Sequence, residues 1–338
     1  MKMKYNLRSK AVILLAVLLL AVSALAGPLT PDRAFSEHEK RTLAEFPLFD
    51  VDEFFSGDFS STFEDYLTDQ VPLRDNWITV KTFAEMAAGK HESGGVYIAK
   101  DKYLMDKFTS YNPKLFAANA EAVASLQAYL TKRGISMYTM PVPVAAQVLT
   151  NKLPAYAPVA GYEKMLALLQ DAGLRTVDVK KVLDTHTDEN IYYRTDHHWT
   201  SLGAYYAYCE WMNLRGRKTA PKSCWAKKEL CSNFRGTTWN KVPLPTIPAE
   251  SITAWYRHES HSVSYNNGDY KTNSIYEKKY LKGSDQYAVF LNSNQAQTLI
   301  SGSGDAGSGK LLLLKDSYGN TFSQFVCEDF WRLYCVSP

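Results

Sequence analysis

Twice between residues 113 and 179 a helical pattern of apolar residues is stopped by a glycine and followed at once by a short apolar run. A helix over 113–132 ends at Gly134 and feeds Ile135 to Met140; another over 162–172 ends at Gly173 and feeds Arg175 to Val179. Glycine takes the left-handed turn that closes a helix, and helices alternating with short strands are the pattern of parallel α/β winding. At 338 residues the chain can bury a full core in one large domain.

Two further junctions carry the polar residues of interest. The run Leu311 to Leu314 predicts a buried strand, Lys315-Asp316-Ser317-Tyr318-Gly319-Asn320 a turn, and Thr321 onward the start of a helix. Ser317 would then sit at the carboxyl end of a central strand beside helix amides, where α/β hydrolytic enzymes keep a nucleophile and its oxyanion donors. The second junction is Tyr192-Tyr193-Arg194-Thr195-Asp196-His197-His198-Trp199-Thr200, before a helix over 202–214 that Thr200 or Ser201 can cap. In an extended approach to that helix Asp196 and His198 share one face, and His197 and Trp199 the other. Asp196, His198 and Ser317 therefore form a candidate relay: His198 takes the serine proton and Asp196 fixes the imidazole. The bland alternative is a capped helix with satisfied histidines.

Several neighbours are secondary candidates. Asn294, or the backbone N–H of Ser317 or Tyr318, could face an oxyanion. Arg194 could meet an anionic group or a structural carboxylate, and Trp199 could pack against sugar or core. Asp184, His186, Asp188, Asp196, His197 and His198 could in principle offer metal ligands, but the spacing fits no familiar helical arrangement, and neither a metal nor a cofactor is expected.

The remaining sequence sets the context. Lys2, Lys4, Arg8 and Lys10 precede an apolar run from Ala11 to Ala26 ending in Ala24-Leu25-Ala26. This is the layout of an export signal or uncleaved anchor over 1–26, which places the body outside the cytoplasm. A polar connector follows over 27–50, and an α/β domain over 51–338 with an insertion at about 218–282, irregular or β-rich, that could wall the site. Phe54, Phe55, Phe59, Phe63 and Tyr66 make a stripe with helical spacing, read as a helix packed on the core. Gly95 to Leu104 predicts a hairpin, Gln286 to Leu291 a strand, and Leu333 to Val336 a last strand. Of the five cysteines, Cys224 could pair with Cys231 and Cys327 with Cys335 in an oxidising compartment, while no Cys-x-x-Cys pair supports structural zinc. A net charge of +3 with mixed signs gives no footprint for nucleic acid.

With Asp196-His197-His198-Trp199, Lys315-Asp316-Ser317-Tyr318, Phe35 to Pro47 and Phe290 to Asn294 together, the chain resembles the bacterial DHHW family and, more distantly, the SGNH-like alginate O-acetyltransferases. The resemblance implies an SGNH-hydrolase-like three-layer sandwich with a mainly parallel sheet and a permuted motif order. It also implies acetyl transfer to an envelope or extracellular polysaccharide through Ser317, with acetyl groups supplied by a membrane-bound multipass O-acyltransferase. A non-catalytic polysaccharide-binding or scaffold protein is the alternative. Asn292-Ser293-Asn294 stands where a glycine-rich element is expected.

Overall fold

A computed structural model describes residues 29–36, 41–258, 261–304 and 306–337, with residues 10, 14 and 17. The segment expected to be an export signal or anchor lies almost wholly outside these residues, and no described helix is long and apolar enough to cross a membrane. The chain divides into two compact units, 1–84 and 85–338.

In the first unit, β1 (Phe35–Ser36) pairs antiparallel with β2 (Arg41–Thr42), followed by α1 (Val51–Ser56), α2 (Asp58–Gln70) and α3 (Arg74–Ala87), which runs across the boundary. Asp50 caps α1 by accepting from the N–H groups of Asp52 and Glu53. Gly57, at φ 91°, then breaks the single helix expected from the stripe Phe54 to Tyr66 into two. The aromatic stripe does not pack on a core, since α1 buries no residue and α2 only Asp69. Its rings lean on one another and on Phe46 and Phe49, with centroids 5.2–6.3 Å apart. Asp69 anchors the unit, accepting from both Nη atoms of Arg41 and from the Ala44 N–H.

The second unit opens with a small sheet of β3 (Glu92–Ser93), β4 (Val96–Ile98) and β5 (Leu104–Asp106). Its β4–β5 hairpin turns through left-handed Asp101 and Lys102, as expected for 95–104. Helices α4 (Pro113–Thr131), α5 (Ala145–Val148), α6 (Tyr162–Asp171), α7 (Val179–Leu183) and α8 (Ser201–Leu214) follow. The strands expected over 135–140 and 175–179 shrink to one parallel bridge, Thr139 to Thr176. Pro141 and Pro143 have no N–H to extend the first, and Val179 already starts α7.

The insertion is β-rich. Its β6 (Ala226–Phe234) and β7 (Glu250–Tyr256) form an antiparallel ribbon with α9 (Thr237–Lys241) between them, and β8 (Ser262–Tyr265) and β9 (Tyr270–Thr272) join the largest sheet. That sheet is completed by β10 (Gln297–Ser301), β11 (Lys310–Leu314) and β12 (Arg332–Val336), in the order β11-β12-β10-β8-β9. Helix α10 (Tyr318–Val326) connects β11 to β12.

The fold is thus mixed α/β, but this sheet is mainly antiparallel rather than parallel, with β11–β12 its one parallel pair. The leucine strand is not central either. Because β12 inserts between β11 and β10, β11 becomes an edge: Leu311 and Leu313 pack on the core while Leu312 and Leu314 stay more than half exposed. The main core joins α5, α7, α8 and α10 through residues such as Val148, Leu183, Tyr208 and Phe325. All five cysteines are free thiols, so neither expected disulfide forms.

Candidate active site

The segment from Tyr192 to Thr200 is a tight loop, not an extended approach. An antiparallel bridge joins Tyr192 to Trp199, the Tyr193 N–H donates to the His198 carbonyl, and Thr200 caps α8 by accepting from the Gly203 N–H. The loop turns Asp196 back on its own chain, where Oδ1 accepts from the His198 N–H at 3.0 Å and meets His198 Nδ1 at 2.5 Å. On the far side of the imidazole, Nε2 lies 2.7 Å from Ser317 Oγ. Asp196 and His198 are buried and Ser317 half-buried, so the hydroxyl end faces outward while the carboxylate stays dry. With Nδ1–H donated to Asp196, Nε2 is left to accept the serine proton.

Ser317 reaches this position from β11, as the residue immediately before α10, and its side chain makes no capping hydrogen bond. Trp199 ties the two junctions together by donating its indole N–H to the Tyr318 carbonyl, and the Tyr318 hydroxyl donates to the His197 carbonyl.

The insertion completes the surroundings. Asp196 Oδ2 accepts from the Thr237 N–H at 2.8 Å and the Thr237 hydroxyl at 3.0 Å. Glu250, on β7, accepts from the N–H groups of Arg194 and Thr195 and from the Thr195 hydroxyl, each at 2.8 Å, and so fixes the loop from behind. Burial would by itself raise the Asp196 carboxyl; the facing imidazole of His198, its hydrogen bond, His197 and the Thr237 N–H hold it well below the ordinary carboxylate range. Burial does prevail at Glu250, raising it despite its three donors.

The secondary candidates separate. His197 was expected to face away from His198, but the folded loop brings the two rings to 3.8 Å, with His197 Nδ1 2.6 Å from the Thr237 hydroxyl. Burial lowers this imidazole below its usual value. Asp196, His197 and His198 do bring three ligand atoms together. Those of Asp196 and His198 are already engaged with one another, with Thr237 and with Ser317.

Trp199 is 1% exposed and cannot stack on a sugar. Arg194 lies with its guanidinium 5.2 Å from the Tyr103 ring and 3.9 Å from Glu250, the structural pairing rather than a free anion site. The Tyr318 N–H, a candidate oxyanion donor, is taken by the Asp316 carboxylate at 2.9 Å. Asn294 is exposed, and its carboxamide oxygen accepts from Lys315 Nζ and Asn320 Nδ2, the residues flanking Ser317.

Sequence reasoning missed Tyr287, whose ring stacks on His198 with centroids 3.8 Å apart and planes 7° from parallel. Its segment looked like a strand but is a 3₁₀ turn, Gln286–Val289. Gly236, Thr237 and Glu250 were missed too, because nothing in an isolated Gly-Thr or Glu marks it as a neighbour of Asp196.

A family model described as the SGNH hydrolase-like domain of the acetyltransferase AlgX matches residues 96–236, a span that holds Asp196 and His198 but ends before Ser317. Among solved structures, a DHHW family protein from Eubacterium siraeum superposes with a TM-score of 0.60 at 22% identity, over 73% of this chain and 83% of that one. Bacillus cereus PatB1 with a sulfonyl adduct gives 0.57 at 15% identity over 72% and 84%, and a second structure of PatB1 gives 0.55 at 17% over 70% and 85%. No curated protein matches the sequence. These identities speak to the fold, and with the family model they bear out the resemblance drawn from Asp196-His197-His198-Trp199.

Proposed function

We propose that this chain, a DHHW-type relative of the SGNH-like acetyltransferases, is an exported O-acetyltransferase or acetylesterase acting on an envelope or extracellular polysaccharide through an acetyl-serine. One observation carries the proposal: the hydrogen-bonded chain from Asp196 through His198 to Ser317, at 2.5 and 2.7 Å. His198 Nε2 takes the Ser317 proton as Oγ attacks an acetyl carbonyl, and Asp196 stabilises the imidazolium that forms. His198 returns that proton to the leaving oxygen, leaving Ser317 acetylated. A sugar hydroxyl, or water in an esterase, then gives its proton to His198, attacks the acetyl-serine and regenerates the free serine.

A membrane-bound multipass O-acyltransferase is the acetyl donor we assign, and the basic, apolar start of the sequence is the export signal or anchor. For the finer architecture we assign the three-layer SGNH sandwich, supported by the parallel β11–β12 pair and the parallel Thr139–Thr176 bridge.

The test is release of acetate from a chromogenic acetyl ester by the purified chain. Ser317→Ala and His198→Ala are each expected to lower kcat/KM by at least about 10³-fold with the fold unchanged. Since PatB1 accepts a sulfonyl adduct, a sulfonyl fluoride is a second probe, expected to label Ser317 and to stop turnover. A wild-type protein that releases no acetate and resists the probe would turn the assignment toward a polysaccharide binder.

A further inference from the structure

Where β7 ends and β8 begins, a second cluster of metal-ligating side chains stands apart from the relay. His261 Nε2, Cys327 Sγ and a Glu328 carboxylate oxygen lie within 4.8 Å of one another, and all three residues are buried. Cys327 and Glu328 directly follow α10, the helix that begins just after Ser317, whereas His261 comes from the strand side of the molecule.

The cluster contains more donors than its carboxylate can accept. Glu328 Oε1 is approached by the N–H groups of Arg257 and His258 and by His261 Nε2, each at 3.2 Å; Oε2 is approached by His258 Nδ1 at 2.5 Å and the Ser303 hydroxyl at 3.0 Å. Those five groups face about four lone-pair sites on a carboxylate. The crowding disappears if His261 turns its lone pair, instead of an N–H group, toward a cation, which leaves four donors for about four sites.

Geometry suits one ion in particular. A tetrahedral zinc with ordinary bond lengths sets neighbouring ligand atoms about 3.3–3.6 Å apart. Here Nε2 of His261 is 3.2 Å from Glu328 Oε1 and 3.9 Å from Cys327 Sγ. Arg257 is the nearest competing cation, 4.0 Å from Oε2, but its Nη2 is committed to the Glu328 carbonyl and to Asp329.

We infer that His261, Cys327 and Glu328 form a zinc site whose fourth position a water fills. On binding, the Cys327 S–H proton passes to solvent as the zinc–sulfur bond forms. The neutral His261 imidazole keeps its one proton on the nitrogen turned away from the metal, and nothing is oxidised or reduced. One thiolate and one carboxylate balance the two positive charges of the ion, which pins the end of the Ser317 helix to the β7–β8 connection.

The full chain, purified without chelator, should hold about one zinc per molecule by mass spectrometry of the metal. After exchange, cobalt should produce a thiolate charge-transfer band and intense tetrahedral absorption. Cys327→Ser is expected to lose both the band and the zinc, whereas His198→Ala, at the relay, should keep both. Should Cys327→Ser fail to fold, His261→Gln keeps a polar side chain there and is expected to weaken zinc affinity at least about tenfold with native circular dichroism. A wild-type protein that, offered excess zinc and then gel-filtered, holds almost none would overturn the site, as would a Cys327→Ser or His261→Gln variant that binds zinc like wild type.

Discussion

Asp196 holds four donors on two oxygens, two of them from His198 and two from Thr237. A carboxylate so occupied cannot swing away from the imidazole, and that rigidity demands a glycine beside it. A Cβ on Gly236 would lie 2.2–2.6 Å from Asp196 Oδ2, Cβ and Cγ, closer than any real contact. Gly236→Ala should therefore displace the carboxylate, lower kcat/KM for an acetyl ester about 10²-fold and lower the thermal melt by several degrees, since overpacking a buried site costs about 1–3 kcal/mol. Equal activity in that variant would mean that Asp196 does not need this seat. Asp196, His198 and Ser317 could be picked out from residue type and junction placement. Gly236, Thr237 and Tyr287 could not, because their roles exist only through what they touch.

At the scale of elements, local sequence signals worked where a single residue decides the backbone. Thr200 caps its helix, and Gly134, at φ 73°, closes α4. Signals failed where neighbours decide. Leu291, Asn292 and Ser293 all take left-handed φ, between 56° and 65°, so the glycine-like conformation expected before the serine strand is present without glycine, at a cost of about 1–2 kcal/mol for each such residue. In the first unit, the Arg41 hydrogen bonds hold the Asp69 carboxyl below its ordinary range, outweighing its burial. A depressed carboxyl stabilises the fold above its unfolded pKa of about 3.9 and loses that contribution as pH falls through the lower folded value. Protection of the Ala44 amide relative to its intrinsic exchange rate should accordingly fall below about pH 4 in the wild type. In Asp69→Asn that protection should already be about tenfold lower at neutral pH and change little with acid, because a neutral amide has no proton to gain. Identical exchange in both proteins would remove Asp69 as the anchor.

Across the whole molecule, the thiols report how completely the second unit is packed. Cys327 and Cys335 are buried, Cys209 and Cys231 half-buried, and Cys224 exposed. Burial raises the thiols of Cys327 and Cys335 well above the usual value, so in metal-free protein a thiol reagent at neutral pH should react rapidly with Cys224 and very slowly with those two. Five thiols should appear in denaturant without reductant; three or fewer would restore a disulfide. Taken by itself, the order of residues determined the class of fold, the hairpin, the capped helices and the candidate relay, because periodicity, caps and glycine stops act within a few positions. Only the tertiary structure decided that the leucine strand lies at an edge, that residues 226–256 close around Asp196, and that His258, His261, Cys327 and Glu328 meet. Those outcomes depend on strand order and on contacts between residues 40 to 120 positions apart, and separation along the chain leaves no periodic trace.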